Sequence, residues 1–369
     1  MKPTSYPFPL GKYTLLKQWK SDDWGIEFLA RQEGLAGVSK LAFLKTLAKP
    51  IATDPTFVAL LLNEARIAAR LSHPNIVQIY ELGEAHGEYF IVMEYVHGHH
   101  LGTVLEAMQK KSQSFSPVLA AQLCTQVLLG LRHAHTLEDE LGRPLHLVHK
   151  NVCPSNVLLG FNGAVKICNF GIPLLEAENK CTLYVAPEQR VDGKIDARVD
   201  VYAVGVLLAE LLLGTFPPHC KNAEQLAKEV FQHPTLPSAL ADIVGCALCA
   251  NRDERFESAR EMALALEYHI EDAGASQVTV ELANFLRLLF GDNTNNPWLS
   301  YEVEASEEGE GKATYAPAPS PVSAPSPSPA PNSPSETFSQ EPLYLYFKWF
   351  VFCLWAMGFL GMLGWLLQS

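Results

Sequence analysis

Short apolar runs separated by polar breaks dominate the first hundred residues, and one helical pattern interrupts them. Residues 41–44 and 89–93 are apolar runs with the length of single strands. Between them, Asp54 and Pro55 supply an N-cap and a first-turn proline, and apolar residues follow at helical spacing. This part of the chain therefore predicts strands packed around one helix.

Beyond residue 115 the apolar spacing becomes mostly helical. Ser116 and Pro117 repeat the cap-and-proline signal and open a helix with apolar residues every three or four positions. Most of residues 197–290 follow the same spacing, and residues 199–213 are apolar nearly all round, which is typical of a buried helix. The pattern predicts an α+β chain, with a β-rich part followed by a larger helical part.

The last eighty residues differ in character from the rest. An acidic stretch follows residue 300, and residues 313–334 alternate Pro, Ala and Ser, a composition that favours extended polyproline conformations over a packed core. Residues 349–367 then form a run of 19 without a charge. As a helix this run spans about 28 Å, close to the roughly 30 Å of a bilayer's hydrocarbon core. It predicts a transmembrane helix.

Lys348, on the N-terminal side of this run, predicts by the positive-inside rule that the preceding domain lies in the cytoplasm. The chain is then expected to be a single-pass, tail-anchored protein of the cell membrane. Its predicted parts are a folded domain at 10–272, a helical extension at 273–290, a linker at 291–342 and an anchor at 343–369.

Charge and cysteine content narrow the function classes. Lys and Arg number 28 against 40 Asp and Glu, so the net charge of −12 argues against a nucleic-acid partner, which needs a basic face. The eight cysteines are irregularly spaced, which fits reduced thiols better than a disulfide framework. The run at residues 97–100 contains three histidines, for which an exposed, solvent-facing loop is favoured over a metal site.

Two stretches carry the candidate chemistry. Residues 149–156 read His-Lys-Asn-Val-Cys-Pro-Ser-Asn, and residues 169–171 read Asn-Phe-Gly. They resemble the H-R-D-x-x-x-x-N and D-F-G motifs of protein kinases. Further motifs follow in the family's order: Lys45 ending an apolar strand, Glu64 mid-helix, Met-Glu-Tyr-Val at 93–96, Ala-Pro-Glu at 186–188 and Arg255. From about residue 10 to 270 the chain resembles bacterial eukaryotic-like Ser/Thr protein kinases.

The resemblance implies a two-lobed fold, with a small β-rich N-lobe and a larger helical C-lobe. It also implies roles for single residues. Lys45 would pair with Glu64 and with phosphates, Asn151 stands at the position of the catalytic aspartate, and Cys153 stands where a Lys or Ser meets the transferred phosphate. Asn156 and Asn169 stand at the metal-ligand positions. Positions that support the scaffold keep the family's residues: His149, Phe170, Glu188, Asp200 and Arg255.

The two asparagines remove the charge from this site. Asn151 cannot accept a proton as a carboxylate does, and loss of a general base typically reduces the rate by about 10²–10⁴. Asn169 offers one neutral oxygen to Mg²⁺, which prefers hard, charged oxygen ligands. A magnesium site at Asn156 and Asn169 is therefore expected to be weak and non-functional, and the domain is expected to be catalytically inactive.

The nucleotide pocket also departs from the family pattern. Gly25 is the glycine retained from the phosphate-binding loop, and Phe43 replaces a small residue over the adenine ring. Glu27 replaces the facing valine, although a one-residue shift would place Ile26 there instead. The hinge and ribose positions hold Glu94, Val96 and His100. No cofactor is expected, and ATP with Mg²⁺ is expected to bind weakly if at all.

Three functions remain open on the sequence. The main hypothesis is a membrane-tethered pseudokinase that binds a kinase or another signalling protein. The first alternative is a low-activity or unconventional Ser/Thr kinase that uses Lys45, Asn156 and a group supplied by a partner. The second is a nucleotide sensor that binds ATP without hydrolysing it.

Overall fold

The computed structural model describes residues 6–22, 25–34, 38–47, 63, 65–85, 87–170, 183–191, 195–274 and 278–291. All of them belong to the first of the two units into which the chain divides, residues 1–310 and 311–369. Glu64, the linker beyond Gly291 and the predicted anchor lie outside the described residues. Within the described ranges, no helix has the length and apolar character needed to cross a membrane.

Six antiparallel strands form the sheet of the small lobe. Its order is β1-β2-β3-β4-β6-β5. The strands are β1 (Phe8–Leu10), β2 (Tyr13–Asp22), β3 (Gly25–Glu33), β4 (Ser39–Leu47), β5 (Ile79–Ala85) and β6 (Glu88–Glu94). The two strands predicted from the apolar runs are confirmed as parts of β4 and β6. Residues 65–68 are helical, and they end the predicted helix whose start lies outside the described residues.

One face of this sheet packs into the core of the small lobe, and the other faces the large lobe. Phe28, Leu44 and Val92 lie side by side on β3, β4 and β6, and their side chains are fully buried in the small-lobe core. Since neighbouring residues of a strand point to opposite faces, Phe43 and Lys45 lie on the other face, toward the large lobe. The alternation along β4 thus builds a core on one face and a cleft on the other.

Seven helices are described in the large lobe. They are α1 (Leu101–Lys110), α2 (Pro117–His135), α3 (Arg198–Leu213), α4 (Ala223–Gln232), α5 (Ser238–Ala247), α6 (Ala259–Asp272) and α7 (Val278–Phe290). The start predicted for α2 is confirmed, because Ser116 Oγ accepts a hydrogen bond from Leu119 N at 3.1 Å. The prediction for residues 199–213 is also confirmed, since α3 is buried along nearly its whole length.

A second sheet of three strands lies beside the helices, in the order β7-β8-β9. Its strands are β7 (Gly98–His100), β8 (Val157–Gly160) and β9 (Val165–Ile167). The expectation of a solvent-facing histidine loop was wrong, because His99 and His100 pair with Leu159 and Leu158 of β8 and are only half exposed. The predicted two-lobed α+β architecture is confirmed.

Candidate active site

The loop between α2 and β8 is held in place by one buried carboxylate. Asp200, near the start of α3, accepts hydrogen bonds from the backbone N–H of His149 at 2.9 Å and of Lys150 at 2.8 Å. His135 Nε2 lies 2.8 Å from the same carboxylate. The His149 ring meets the edge of Phe170 with the ring centroids 4.5 Å apart. Asp200 therefore fixes the backbone just before Asn151, and Phe170 packs against the His149 side chain.

Burial sets the charge of the groups beneath this loop. Burial lowers the pKa of His149 below its ordinary value, although the nearby Asp200 carboxylate acts in the opposite direction. Burial alone would raise the pKa of Asp200, but the hydrogen bond and charge of His135 outweigh it and leave that pKa below its ordinary value. At neutral pH we expect Asp200 to be anionic and His149 to be neutral.

Three asparagines form a hydrogen-bonded chain at the expected catalytic and metal positions. Asn156 Nδ2 donates to the backbone carbonyl of Asn151 at 2.7 Å. Asn169 Nδ2 donates in turn to Asn156 Oδ1 at 2.8 Å. An aspartate at position 169 would have no donor to offer, and two oxygens that close together need a cation between them. The Asn169 amide thus supplies a hydrogen where a kinase would need a metal ion.

The residues present do not fit a magnesium ion. Mg²⁺ requires near-octahedral coordination by hard oxygens, usually with one or two carboxylates. Asn156 and Asn169 are both neutral, and the side-chain oxygen of Asn156 accepts the Asn169 amide hydrogen. Within the part of the chain that the structure describes, no cluster of three His, Cys, Asp or Glu side chains could hold a metal ion.

Replacing Asn169 by aspartate tests this view. The change removes the 2.8 Å hydrogen bond and sets two oxygen acceptors against each other. Without metal, the free energy of unfolding should fall by about 1–3 kcal/mol, and Mg²⁺ should restore part of it. Urea unfolding with EDTA and with Mg²⁺ measures both effects.

Asn169→Ala is the matched control, since it loses the same hydrogen bond without adding a charge. Its stability should not respond to Mg²⁺. An equal Mg²⁺ response from the unmodified protein would contradict the conclusion that the asparagine pair replaces a cation.

Among the described residues, Cys153 and Ser155 lie beside Asn151. Cys153 Sγ lies 3.8 Å from Asn151 Oδ1 and 3.3 Å from Ser155 Oγ. Cys153 is buried, so its thiol packs beneath the loop. Because an amide does not take up a proton near neutral pH, the position expected for a general base cannot serve as one.

Lys45 is paired with a carboxylate of its own sheet. Its Nζ lies 3.1 Å from Glu27 Oε1, and the two side chains are only 9% and 14% exposed. The strand register places Glu27 directly opposite Lys45, whereas Ile26 packs against the small-lobe core. The alternative with Glu27 in the cleft is thus correct and the one with Ile26 is wrong. The predicted partner Glu64 lies outside the described residues.

Aromatic side chains fill much of the cleft between the lobes at the position where the family binds adenine. Phe43 and Tyr95 have parallel rings with centroids 6.4 Å apart, and the Trp19 ring meets Phe43 edge-on at 5.9 Å. The volume left between the walls is about 100 Å³. Ligand pockets commonly have roughly 300–1,000 Å³, so a purine ring would have to move these side chains.

The other predicted cofactor-binding residues are placed as follows. Glu94, Val96, His100 and Asn169 line the same cleft as Phe43. The carboxylate of Glu94 lies 2.9 Å from Lys166 Nζ, which keeps that acidic side chain paired. Gly25 begins β3 opposite Leu47 of β4. The Glu27–Lys45 ion pair and the contribution of Trp19 and Tyr95 were not predicted from the sequence. Cross-strand spacing could have indicated only the ion pair, because Glu27 and Lys45 are paired residues of β3 and β4.

A second buried ion pair supports the floor of the site. Arg255 donates two hydrogen bonds to Glu188, at 2.7 and 2.9 Å, and a third to the carbonyl of Cys249 at 2.7 Å. Its guanidinium also lies 4.9 Å from the centre of the Tyr202 ring. Burial alone would raise the pKa of Glu188, but the hydrogen bonds from Arg255 hold it below its ordinary value.

Comparison with known proteins gives consistent results at the level of family and fold. Residues 38–269 match the model of the protein kinase domain. The tyrosine-protein kinase MasK of Myxococcus xanthus is 32% identical over 302 residues, which cover 77% of this chain and 47% of that protein. The serine/threonine-protein kinase PrkC of Bacillus subtilis is 30% identical over 237 residues, which cover 59% of this chain and 35% of that protein.

Among solved structures, the PknI kinase domain of Mycobacterium tuberculosis superposes with a TM-score of 0.59 at 25% identity. The match covers 74% of this chain and all of that domain. The chain spans half or less of the length of the curated relatives just described.

Proposed function

The chain belongs to the protein kinase domain family, and from this premise we propose that it is a pseudokinase that acts as a signalling scaffold or allosteric partner. The observation that carries the proposal is the hydrogen bond from Asn169 to Asn156. Catalysis of phosphoryl transfer consists mainly of positioning and of stabilising negative charge with metal ions. Here the two residues at the metal-ligand positions, Asn156 and Asn169, hydrogen-bond to each other, so this pair would not hold those ions.

The Glu27–Lys45 pair supports the same proposal from the nucleotide side. In an active site of this family the lysine contacts phosphates, so its positive charge must be available to them. Here the Glu27 carboxylate lies 3.1 Å from that charge inside the cleft. A triphosphate would have to separate the pair and then meet the negative charge of Glu27, and both steps weaken its binding.

Membrane attachment completes the proposed function. A helix at residues 349–367 would anchor the chain, and the Pro-, Ala- and Ser-rich linker would let the kinase-like domain explore the cytoplasmic face of the membrane. Such tethering raises the effective concentration for membrane-bound partners without any new contact. The partner is proposed to be a protein, either a kinase or another signalling protein.

A thermal-shift titration with ATP and Mg²⁺ tests the nucleotide side of the proposal. The melting temperature of the unmodified protein should not change at millimolar ATP. Glu27 is ion-paired with Lys45, and the pair of Asn156 and Asn169 is not expected to bind a metal ion. Glu27→Val should produce an ATP-dependent shift, since it removes the carboxylate that lies 3.1 Å from Lys45 Nζ and would repel a triphosphate.

Glu33→Val is the matched control for Glu27→Val, because Glu33 is an exposed carboxylate on the same strand. It should leave the protein insensitive to ATP. A shift of several degrees in the unmodified protein would contradict the proposal, and if no phosphate transfer accompanied that shift, a nucleotide sensor would be favoured instead.

The second candidate function is an active protein kinase. It is favoured by the similarity to MasK and PrkC and by the retained support of the site, with Asp200 holding the loop and Glu188 paired to Arg255. Transfer to a Ser, Thr or Tyr hydroxyl would then need a base and a metal-binding group from a partner. Transfer that appears only when the partner is added would support this candidate.

A further inference from the structure

The helix α7 lies beyond the residues that match the kinase domain, which end at 269. It packs on the large lobe through three buried leucines, Leu282, Leu286 and Leu289. Lys111, just after α1, donates a hydrogen bond from Nζ to the carbonyl of Leu289 at 2.6 Å. This helix is therefore fastened to the domain at its C-terminal end as well as along its apolar face.

The first turn of α7 packs closely against the turn between β8 and β9. Gly163, in the turn between β8 and β9, has a φ of +83°, and a Cβ atom added there would lie 1.9 Å from the carbonyl oxygen of Thr279. Only glycine allows this approach. Farther along, Phe285 meets Phe115 with ring centroids 4.7 Å apart. The helix thus contacts the three-stranded sheet and the loop before α2 at defined points.

At the end of α7, Phe290 reaches the wall of the cleft. Its ring lies 4.4 Å from that of His99 and 5.9 Å from that of Phe161, measured between centroids. His99 is at the same time one of the residues that line the cleft. A single side chain of β7 therefore contacts both α7 and the candidate ligand site.

The ring contacts continue from there into the small lobe. Phe161 meets His97 at 4.9 Å, His97 meets Tyr95 at 6.3 Å, and Tyr95 lies parallel to Phe43 at 6.4 Å. The backbone N–H of Phe161 also donates to the carbonyl of His97 at 2.9 Å. We call the seven connected side chains the aromatic series: Trp19, Phe43, Tyr95, His97, His99, Phe161 and Phe290.

We propose that the aromatic series couples α7 to the cleft, so that seating of Phe290 on His99 holds β7 and the hinge in their observed arrangement. A partner that draws α7 away would loosen residues 95–100 and change what the cleft accepts. By linkage, occupation of the cleft would change the hold on α7 by the same factor. The coupling does not depend on whether the protein transfers phosphate.

Hydrogen exchange of the full chain tests the coupling. Phe290→Ala should speed exchange of the backbone amides of residues 95–100 by about tenfold, because two aromatic contacts are lost at His99 and Phe161. Leu288→Ala is the matched control, since Leu288 is 77% exposed on the same helix. It should leave those amides unchanged.

The proposal would be overturned if Phe290→Ala speeds exchange only in α7 and around Lys111. In that case the exchange rates of residues 95–100 would equal those of the unmodified protein. Phe290→Leu keeps most of the buried volume and provides a readout if the alanine variant does not fold. It should still speed exchange at residues 95–100 by several-fold, since the ring contacts are lost. An unchanged rate in this variant would count equally against the coupling.

Discussion

Radiolabelled phosphate transfer by the unmodified protein should run at least about 10⁴-fold below the rate of a kinase that keeps both carboxylates. Asn151 lacks the proton-accepting oxygen of the family's aspartate, and Asn169 gives its amide hydrogen to Asn156 in place of an oxygen to Mg²⁺. If each loss contributes about 10², the barrier rises by roughly 5.5 kcal/mol at 1.36 kcal/mol per decade. A kinase turnover of about 1–100 s⁻¹, reduced by this factor, falls to a rate near background.

The double variant Asn151→Asp with Asn169→Asp is the informative comparison. It should raise transfer above that of the unmodified protein, and adding Lys45→Met to it should abolish the gain. Full recovery is not expected, because Phe43 still occupies the adenine end and Glu27 still pairs with Lys45. Transfer by the unmodified protein that clearly exceeds that of a Lys45→Met variant would contradict the assignment as a pseudokinase.

Arg255→Met should lower the free energy of unfolding by about 3–5 kcal/mol. The guanidinium is completely buried, and Glu188 is only 13% exposed, so removal of the cation leaves an uncompensated charge in the large lobe. The carbonyl of Cys249 also loses its donor. For a domain of this size the melting temperature should fall by roughly 10 °C, which differential scanning calorimetry can measure.

Arg255→Met combined with Glu188→Leu separates charge from packing. Replacing both members of a buried ion pair by apolar groups is often close to neutral, so the double variant should recover most of the lost stability. Arg143, whose side chain is 71% exposed and pairs with Asp139, serves as a control, and Arg143→Met should change stability far less than Arg255→Met. A loss below 1 kcal/mol for Arg255→Met would show that the pair is not a structural requirement.

The sequence predicted the parts of the fold that depend on local signals. Ser116 and Pro117 gave the start of α2, and the unbroken apolar run gave α3, because capping and burial act within a few residues of the chain. The motifs around His149 and Phe170 gave the two-lobed architecture. The placement of Glu27 remained open, since the register of β3 on β4 depends on pairing between distant segments.

Two features of the site could not be obtained from the sequence. The histidines at 97–100 look like an exposed polar loop, yet Phe161 and Phe290 cover His99 from parts of the chain far away in sequence. The amide pair of Asn156 and Asn169 depends on the relative orientation of two side chains, which a motif does not specify. In both cases tertiary contacts decide the outcome, and local propensity does not.

The amide pair of Asn156 and Asn169 has a consequence for when the protein can act. Its hydrogen bond connects Asn169 to the loop around Asn151 through protein groups. If the proposed pseudokinase function holds, the loop around Asn151 keeps the same arrangement whether ATP is abundant or scarce. A scaffold of that kind would be regulated through its abundance and its location in the cell.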